Sequence, residues 1–384
     1  MRVSPAISSA TELRGIVVLA FTAYLGVIGL AEALLATSEP VAGLAAYALL
    51  LLVLPLHAAL AGEPARSCAL ALTIIPVLRI CSAALFLLPS LPTVASLALL
   101  DALLLTSLAW SARSLGLGFR ELGLRLGNPV SQLAIGALGV PLGYLLWYSA
   151  APAPLPGNTA QWVLVVLGSG LIANALAQEL AFRGVLQALA LRAFGPSGVA
   201  LVAASFGALY AGAGSAWRVP LMFGWGLLLA AMVRRTESLA GAVLAHGAAS
   251  IVTYVALPLV VAHLPAVSAT AGEGTAFQPQ AALAVLLTPA PADPRPDAAI
   301  EGARAESPLG ASLGPEIFPI SRIHDSTGVG AVVTIAVLGL LLEWQVAEAA
   351  GATLRSPMSA LIGAIAPLLC VFGAIAGHRL INIP

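Results

Sequence analysis

Apolar runs of about 20 residues recur from one end of this sequence to the other, and they constrain the fold more than any other feature. Each run is long enough to cross, as a helix, a hydrocarbon core about 30 Å thick. Because 60% of the 384 residues are hydrophobic and 9% are charged, a soluble core could not bury the apolar surface of this chain. The sequence therefore predicts an all-α, polytopic membrane helix bundle.

The apolar runs number about eleven, which predicts about 10–11 transmembrane helices. They lie near residues 16–35, 41–61, 68–88, 93–110, 130–150, 161–193, 198–213, 219–233, 238–261, 329–347 and 358–376. This pattern divides the chain into N-terminal transmembrane helices (1–110), a core (111–261), a polar loop rich in proline and alanine (262–327) and C-terminal transmembrane helices (328–384).

Two segments between the runs are polar. Residues 111–126 form an amphipathic piece with Arg113, Arg120 and Arg125, and we predict that it lies along the membrane surface. Residues 262–327 contain seven acids against three arginines and show no sustained periodicity. This composition predicts a disordered or loosely folded loop.

Arginine in the short connections indicates the orientation of the chain. If the N-terminus is cytoplasmic, the acidic loop lies outside, and Arg218 and Arg379 are exceptions to the rule. The arginines that then fall on the cytoplasmic side are Arg66, Arg113, Arg120, Arg125, Arg192, Arg234, Arg235 and Arg355. We therefore predict an integral protein of a bacterial inner (plasma) membrane with a cytoplasmic N-terminus.

Composition argues against several kinds of partner. The formal net charge is zero and no basic patch is present, so no nucleic-acid partner is predicted. Cys68, Cys81 and Cys370 are scattered in apolar segments without the spacing of a zinc site or a disulfide framework. The histidines without partners at metal-ligand spacing are His57, His263, His324 and His378. No metal and no cofactor are predicted.

Polar side chains recur at helical spacing on three neighbouring runs. They are Gln178 and Glu179 with Arg183, then Phe206 with Tyr210, then His246 with Ser250. Residues four apart lie on one helical face. An ionisable group at membrane depth costs about 2.5–3.5 kcal/mol, so such groups face a protein interior or a wet cavity. The pattern predicts one polar pocket between three helices.

These three pairs resemble, in order, the Glu-Glu-x-x-x-Arg, Phe-x-x-x-His and His-x-x-x-Asn/Asp motifs of the CPBP intramembrane proteases. That family includes the type II CAAX prenyl endopeptidases and bacterial relatives tied to bacteriocin processing or immunity. The resemblance extends over residues 115–254, including residues 115–124 and the approach to His246 from Thr236. It implies a CPBP-like core, endopeptidase activity and a membrane-anchored or lipidated peptide or protein as substrate.

The chain departs from the motifs at three positions. Gln178 stands where the resemblance implies the glutamate that activates water, Tyr210 where the motif has histidine, and Ser250 where it has Asn or Asp. The positions that match are Glu179, Arg183, Phe206 and His246. Because an amide has no usable basicity, we predict Glu179 and His246 as catalytic residues. The supporting residues are Arg183, Gln178, Tyr210, Ser250 and Phe206.

Three functions stay open. The first is a glutamic or metallo-type endopeptidase that cleaves a membrane-associated peptide near the cytoplasmic face. The second is a catalytically impaired pseudoprotease that binds or protects a membrane protein. The third is a small-molecule transporter, for which no inverted repeat is visible.

Purely structural alternatives apply to single residues. Glu179 and Arg183 can also be an ion pair that only holds helices in register, and His246 a hydrogen-bonded interior histidine. For the charged residues within other apolar runs, we predict interhelical pairing or positions near the membrane interface. These residues are Glu32, Arg79, Asp101 and Glu343.

Overall fold

A computed structural model describes residues 5–37, 40–86, 93–150, 161–212, 215–262, 326–349 and 355–381. Helices account for nearly all of these ranges and no strand occurs within them, so the prediction of an all-α bundle is confirmed. Six helical stretches in the described residues are long and apolar enough to cross a membrane. The chain is therefore an integral membrane protein.

The helices follow one another in this order. They are α1 (Pro5–Leu35), α2 (Pro40–Leu60), α3 (Ala65–Leu72), α4 (Ile74–Phe86), α5 (Thr93–Ser114), α6 (Pro129–Ala137), α7 (Gly139–Ala150), α8 (Gln161–Glu179), a π-helical segment (Leu180–Leu186), α9 (Gln187–Phe194), α10 (Gly198–Ala208), α11 (Arg218–Thr236), α12 (Ala240–Ile251), a second π-helical segment (Val252–Ala256), α13 (Leu257–Ala262), α14 (Ser326–Ala349) and α15 (Arg355–Ile381).

Eleven spans were predicted and six stretches are observed; the predicted spans near 93–110 and 219–233 are helices α5 and α11 but are not among the six. The stretch from Gly168 to Ala208 counts as one apolar helical stretch, although it contains two predicted spans. Gly195 separates them, since its φ of +62° ends α9 and Pro196 follows. Two further apolar stretches, Val329–Leu341 and Ile362–Ile375, are shorter. They belong to α14 and α15, where the last two spans were predicted.

Helix α8 lies at the centre of the part that carries the predicted site. It packs against α5 on one side and α12 on the other, and α12 also packs against α6 and α7. Glycine allows the close approach of α7 to α12: a Cβ added at Gly139 would lie 1.9 Å from the Ala245 carbonyl oxygen. At Gly143 the corresponding distance to the Ala249 oxygen is 2.6 Å. Small residues of this kind let membrane helices pack backbone to backbone.

A buried ion pair joins the N-terminal helices to this core. Arg79 donates from Nε and Nη2 to the carboxylate of Glu32, at 2.5 and 2.6 Å, and Tyr47 donates to the same carboxylate. Arg79 also donates to the Leu209 carbonyl at the end of α10, at 3.1 Å. Interhelical pairing is therefore confirmed for Glu32 and Arg79. Charges buried this deeply persist because they are paired and hydrogen-bonded.

The predicted surface segment 111–126 begins as helix, because α5 continues to Ser114. Beyond that residue, Gly116, Gly123 and Gly127 adopt positive φ, and the backbone forms turns rather than an amphipathic helix. Ion pairs attach these turns to neighbouring connections: Arg125 to Glu237 at 2.9 Å, and Arg192 to Glu121. Arg125 and Arg192, which were predicted to share one side of the membrane, therefore both pair with acids of neighbouring connections.

Some predictions fall outside the described residues. Residues 263–325, most of the predicted polar loop, are among them, and so are His263 and His324. The side chains of Glu343, Arg355, His378 and Arg379 are also outside the described part. The cytoplasmic N-terminus and the bacterial inner membrane stay predictions.

Candidate active site

The central feature of the site is a change of helix geometry. Helix α8 ends at Glu179 and continues without a break into the π-helical segment that contains Phe182 and Arg183. A π-helical insertion widens the turn, and such insertions are frequent at functional sites. Sequence spacing alone predicted an ordinary α-helical turn between Glu179 and Arg183.

Glu179 contacts two other ionisable groups of the predicted site, His246 and Arg183. Its Oε1 atom lies 2.8 Å from His246 Nδ1 on α12 and 3.3 Å from Arg183 Nη1. The Glu179 side chain is 0% exposed, whereas the His246 side chain retains 12% exposure. The acid is therefore enclosed behind the imidazole.

Arg183 is held by aromatic rings as well as by Glu179. Its guanidinium carbon lies 4.2 Å from the centre of the Phe206 ring, a cation–π contact. Phe206 in turn meets Phe182 edge to face, with ring centres 5.3 Å apart. Among the described residues, Arg183 Nε and Nη2 are buried without a hydrogen-bond partner.

A cavity of about 60 Å³ lies beside this group, between α4, α5, α7, α8, α10, α11 and α12. A cavity of this size has room for several water molecules. Its polar lining residues are Arg79, Ser82, Asn174, Gln178, Tyr210, His246, Ser250 and Tyr254. The apolar part of the wall includes Leu104, Leu142, Phe206, Met222 and Trp225.

The structure brings all seven predicted site residues together, in two layers. Gln178, Phe206, Tyr210, His246 and Ser250 line the cavity. The other two, Glu179 and Arg183, lie behind His246 and Phe206 and are not part of the cavity wall. The predicted roles of these residues remain predictions.

Asn174 was missed by the reasoning from sequence, although it lies one turn before Gln178. Gln178 Nε2 donates to Asn174 Oδ1 at 2.6 Å, and Asn174 Nδ2 donates to Asp101 Oδ1 at 2.9 Å. Asp101 lies on α5, and its bond to Asn174 on α8 confirms the predicted interhelical pairing. The detectable signal was the four-residue spacing of two amides on one apolar helix.

The donor set of the site does not suggest a metal centre. Within the described part of the chain, no three His, Cys, Asp or Glu side chains are close enough together to hold a metal ion. Glu179 and His246 are bonded to each other, and the remaining polar groups of the cavity are amides, hydroxyls and a guanidinium. What this set can do is hold water, accept a proton at the imidazole and donate hydrogen bonds to an oxygen.

Comparison with known proteins supplies one match. No curated protein and no solved structure matches the chain. Residues 160–252 match the family model of the type II CAAX prenyl endopeptidases, described as Rce1-like. This segment extends from α8 to the second π-helical segment and contains all seven predicted site residues. The predicted resemblance to CPBP proteases is therefore confirmed: over residues 160–252 this chain is similar to the Rce1-like, type II CAAX prenyl endopeptidases.

Proposed function

We propose that this protein is an intramembrane endopeptidase of the CAAX protease type, in which His246 is the general base and Glu179 orients it. The observation that carries this proposal is the 2.8 Å contact between Glu179 Oε1 and His246 Nδ1, beside a cavity that His246 lines and Glu179 does not. Since the residue in the position of the usual glutamate base is Gln178, the imidazole is the group best able to accept a proton among the described residues of the cavity wall.

The geometry supports the following proton path. A carboxylate only accepts hydrogen bonds, so Glu179 fixes the hydrogen of His246 on Nδ1 and leaves Nε2 as a proton acceptor. Nε2 takes a proton from water as the water oxygen attacks the peptide carbonyl, and Glu179 stabilises the resulting imidazolium. The imidazolium then gives its proton to the leaving amine as the C–N bond breaks. General-base catalysis of this kind contributes about 10² to 10⁴ in rate.

Two other cavity groups have roles in this mechanism. The Tyr210 hydroxyl can donate to the oxygen that becomes negative in the tetrahedral intermediate. Gln178 cannot take a proton, but its amide oxygen can accept the second hydrogen of the attacking water. Arg183 Nη1, at 3.3 Å from Glu179 Oε1, pairs with the carboxylate and holds it beside the imidazole.

The substrate class is part of the proposal. The matched family is described as prenyl endopeptidases, and the cavity lies between membrane helices. We therefore propose a membrane-anchored or lipidated peptide or protein as substrate, cleaved near the cytoplasmic face of a bacterial inner membrane, without a metal or another cofactor.

The test compares variants of the full chain purified in nanodiscs, with a prenylated peptide ending in a CAAX sequence as substrate. His246→Gln and Glu179→Gln should each lower the cleavage rate by about 10² or more, since both remove the oriented base. His57→Gln is the matched control, because His57 bonds to Tyr24 Oη at 2.6 Å and does not line the cavity. Equal cleavage by all four proteins would refute the assignment of His246.

A second candidate is a pseudoprotease that binds a membrane protein without cleaving it. The observation in its favour is that no aspartate or glutamate lines the cavity within the described part of the chain. In this case the peptide stays uncleaved with the natural chain and with every variant. The natural chain still binds a labelled prenylated peptide, and Tyr210→Ala lowers that binding. Cleavage lost specifically in His246→Gln excludes this candidate.

A further inference from the structure

We propose that Asp101 is a positioning residue of the cavity, which orients the Gln178 amide through Asn174 and thereby makes an acid at position 178 incompatible with an acid at position 101. Asp101 lies on α5, outside the segment that matches the family, so the family motif does not include it. The three side chains are linked by two hydrogen bonds of 2.9 and 2.6 Å.

The direction of this chain of hydrogen bonds is set at its buried end. Asp101 is 3% exposed, and its Oδ1 atom accepts from the amide nitrogen of Asn174. Asn174 must therefore present its oxygen to Gln178, and Gln178 must present its nitrogen to Asn174. The Gln178 amide oxygen is then the atom left for the cavity that Gln178 lines. One carboxylate thus determines which end of an amide faces the cavity.

The same logic forbids a simple return to glutamate at position 178. A glutamate there would meet the Asn174 oxygen, and two acceptors would face each other without a hydrogen between them. If the Asn174 amide rotated to donate to that glutamate, its oxygen would instead face the Asp101 carboxylate. In both arrangements one of the two acids must keep a proton, so the two acids cannot both be ionised, and a charged glutamate at position 178 requires a protonated Asp101.

Asparagine at position 101 removes the conflict. It can accept from Asn174, as Asp101 does, when position 178 is glutamine. It can also donate to Asn174, which then donates to an ionised glutamate at position 178. The Asp101→Asn change should therefore leave stability unchanged when position 178 is glutamine and raise stability when it is glutamate.

The stability test is a double-mutant cycle on the purified full chain, in which the melting temperature Tm of each variant is measured. Asp101→Asn alone should shift Tm by less than about 1 °C, and Gln178→Glu alone should lower Tm by about 3 °C or more. The Asp101→Asn, Gln178→Glu variant should recover most of that loss. The control, Ser82→Ala, removes another cavity-lining group and should give Tm changes that add to those of Gln178→Glu.

This cycle requires no catalytic activity, so its failure and the failure of the proposed function are distinguishable. Additive Tm changes for Asp101→Asn and Gln178→Glu would overturn the proposal. A general destabilisation would show as equal losses of Tm in both backgrounds, since only an orienting role predicts no change of Tm with glutamine at position 178 and a gain of Tm with glutamate there.

Hydrolysis supplies the second readout, which rests on the proposed function. Asp101→Leu should lower kcat about tenfold with KM unchanged, because the Gln178 amide loses its fixed direction, whereas Asp101→Asn should retain most of kcat. Addition of Asp101→Asn to Gln178→Glu with Tyr210→His should raise cleavage above that of the two-substitution variant. An equal loss of kcat in Asp101→Asn and Asp101→Leu would contradict an orienting role.

Discussion

The buried pair of Glu179 and Arg183 makes the sharpest prediction about stability. Both side chains are 0% exposed, and Arg183 Nη1 lies 3.3 Å from Glu179 Oε1. Removing the acid alone, as in Glu179→Leu, leaves a guanidinium whose Nε and Nη2 already have no partner among the described residues. Breaking a buried ion pair in this way costs about 3–5 kcal/mol. The cation–π contact between Arg183 and Phe206 is present in the natural chain and in this variant, so it does not enter the difference between them.

Removing both charges should cost much less. In the Glu179→Leu, Arg183→Met variant no charge of this pair stays buried without a partner, and the main loss is the hydrogen bond from His246, worth about 1 kcal/mol. The double variant should therefore be more stable than Glu179→Leu by about 2–4 kcal/mol. Unfolding of the two variants and the natural chain in mixed micelles, titrated with SDS, measures this difference in stability.

The SDS titration has one outcome that contradicts a dependence of Arg183 on Glu179. If Glu179→Leu and the double variant unfold at the same SDS fraction, the guanidinium does not depend on Glu179. The buried pair would then not stabilise the fold, and the proposal that Arg183 holds Glu179 in place beside His246 would fail. Circular dichroism of each variant before titration checks that its helices have formed.

Two further predictions concern packing and pH. Gly139→Ala should prevent folding or lower Tm strongly, because its Cβ would lie 1.9 Å from the Ala245 oxygen, whereas Gly168→Ala, with no described atom within 4 Å, should stabilise α8 slightly; equal Tm values would refute the close approach. At the surface, the hydrogen bond from the Gly118 amide and the ion pair with Arg192 lower the pKa of Glu121. Because the pKa of Glu121 is lower in the folded state, these two interactions contribute their full stability above the ordinary glutamate pKa of about 4.3. That stability is lost as the pH falls through the lower, folded-state pKa of Glu121. NMR titration of the Glu121 carboxyl carbon should show a higher pKa in Arg192→Gln, and an unchanged pKa would contradict this cause.

The proposed mechanism gives a reason for the unusual motif of this chain. Where the family resemblance implies a glutamate base, Gln178 is fixed by Asn174 and Asp101, two residues that the motif does not mention. The acid that remains, Glu179, is shared between an arginine and the imidazole of His246. A carboxylate behind a histidine is an established way to keep that histidine in one tautomer and to stabilise its protonated form. Loss of the first glutamate is therefore compatible with hydrolysis by another base.

The sequence by itself was sufficient to predict the membrane bundle and the family. Runs of about 20 apolar residues admit only helices in lipid, because every backbone polar group must be satisfied within the segment. Three polar pairs at helical spacing predicted a set of side chains that share one region of the structure, since neighbours on a helix face are a local property of the chain. Gly195 followed by Pro196 is likewise a local signal, and α9 ends there.

Only the tertiary structure decided where each of those residues lies relative to the cavity. Spacing along a helix cannot show that Glu179 is enclosed while His246 reaches the cavity, because that depends on how α8 and α12 pack. Nor can it connect Asp101 to Gln178, which lie on different helices far apart in the sequence and meet through Asn174. Buried polar groups require partners, and which partner each one finds is fixed by contacts between helices that are distant in sequence.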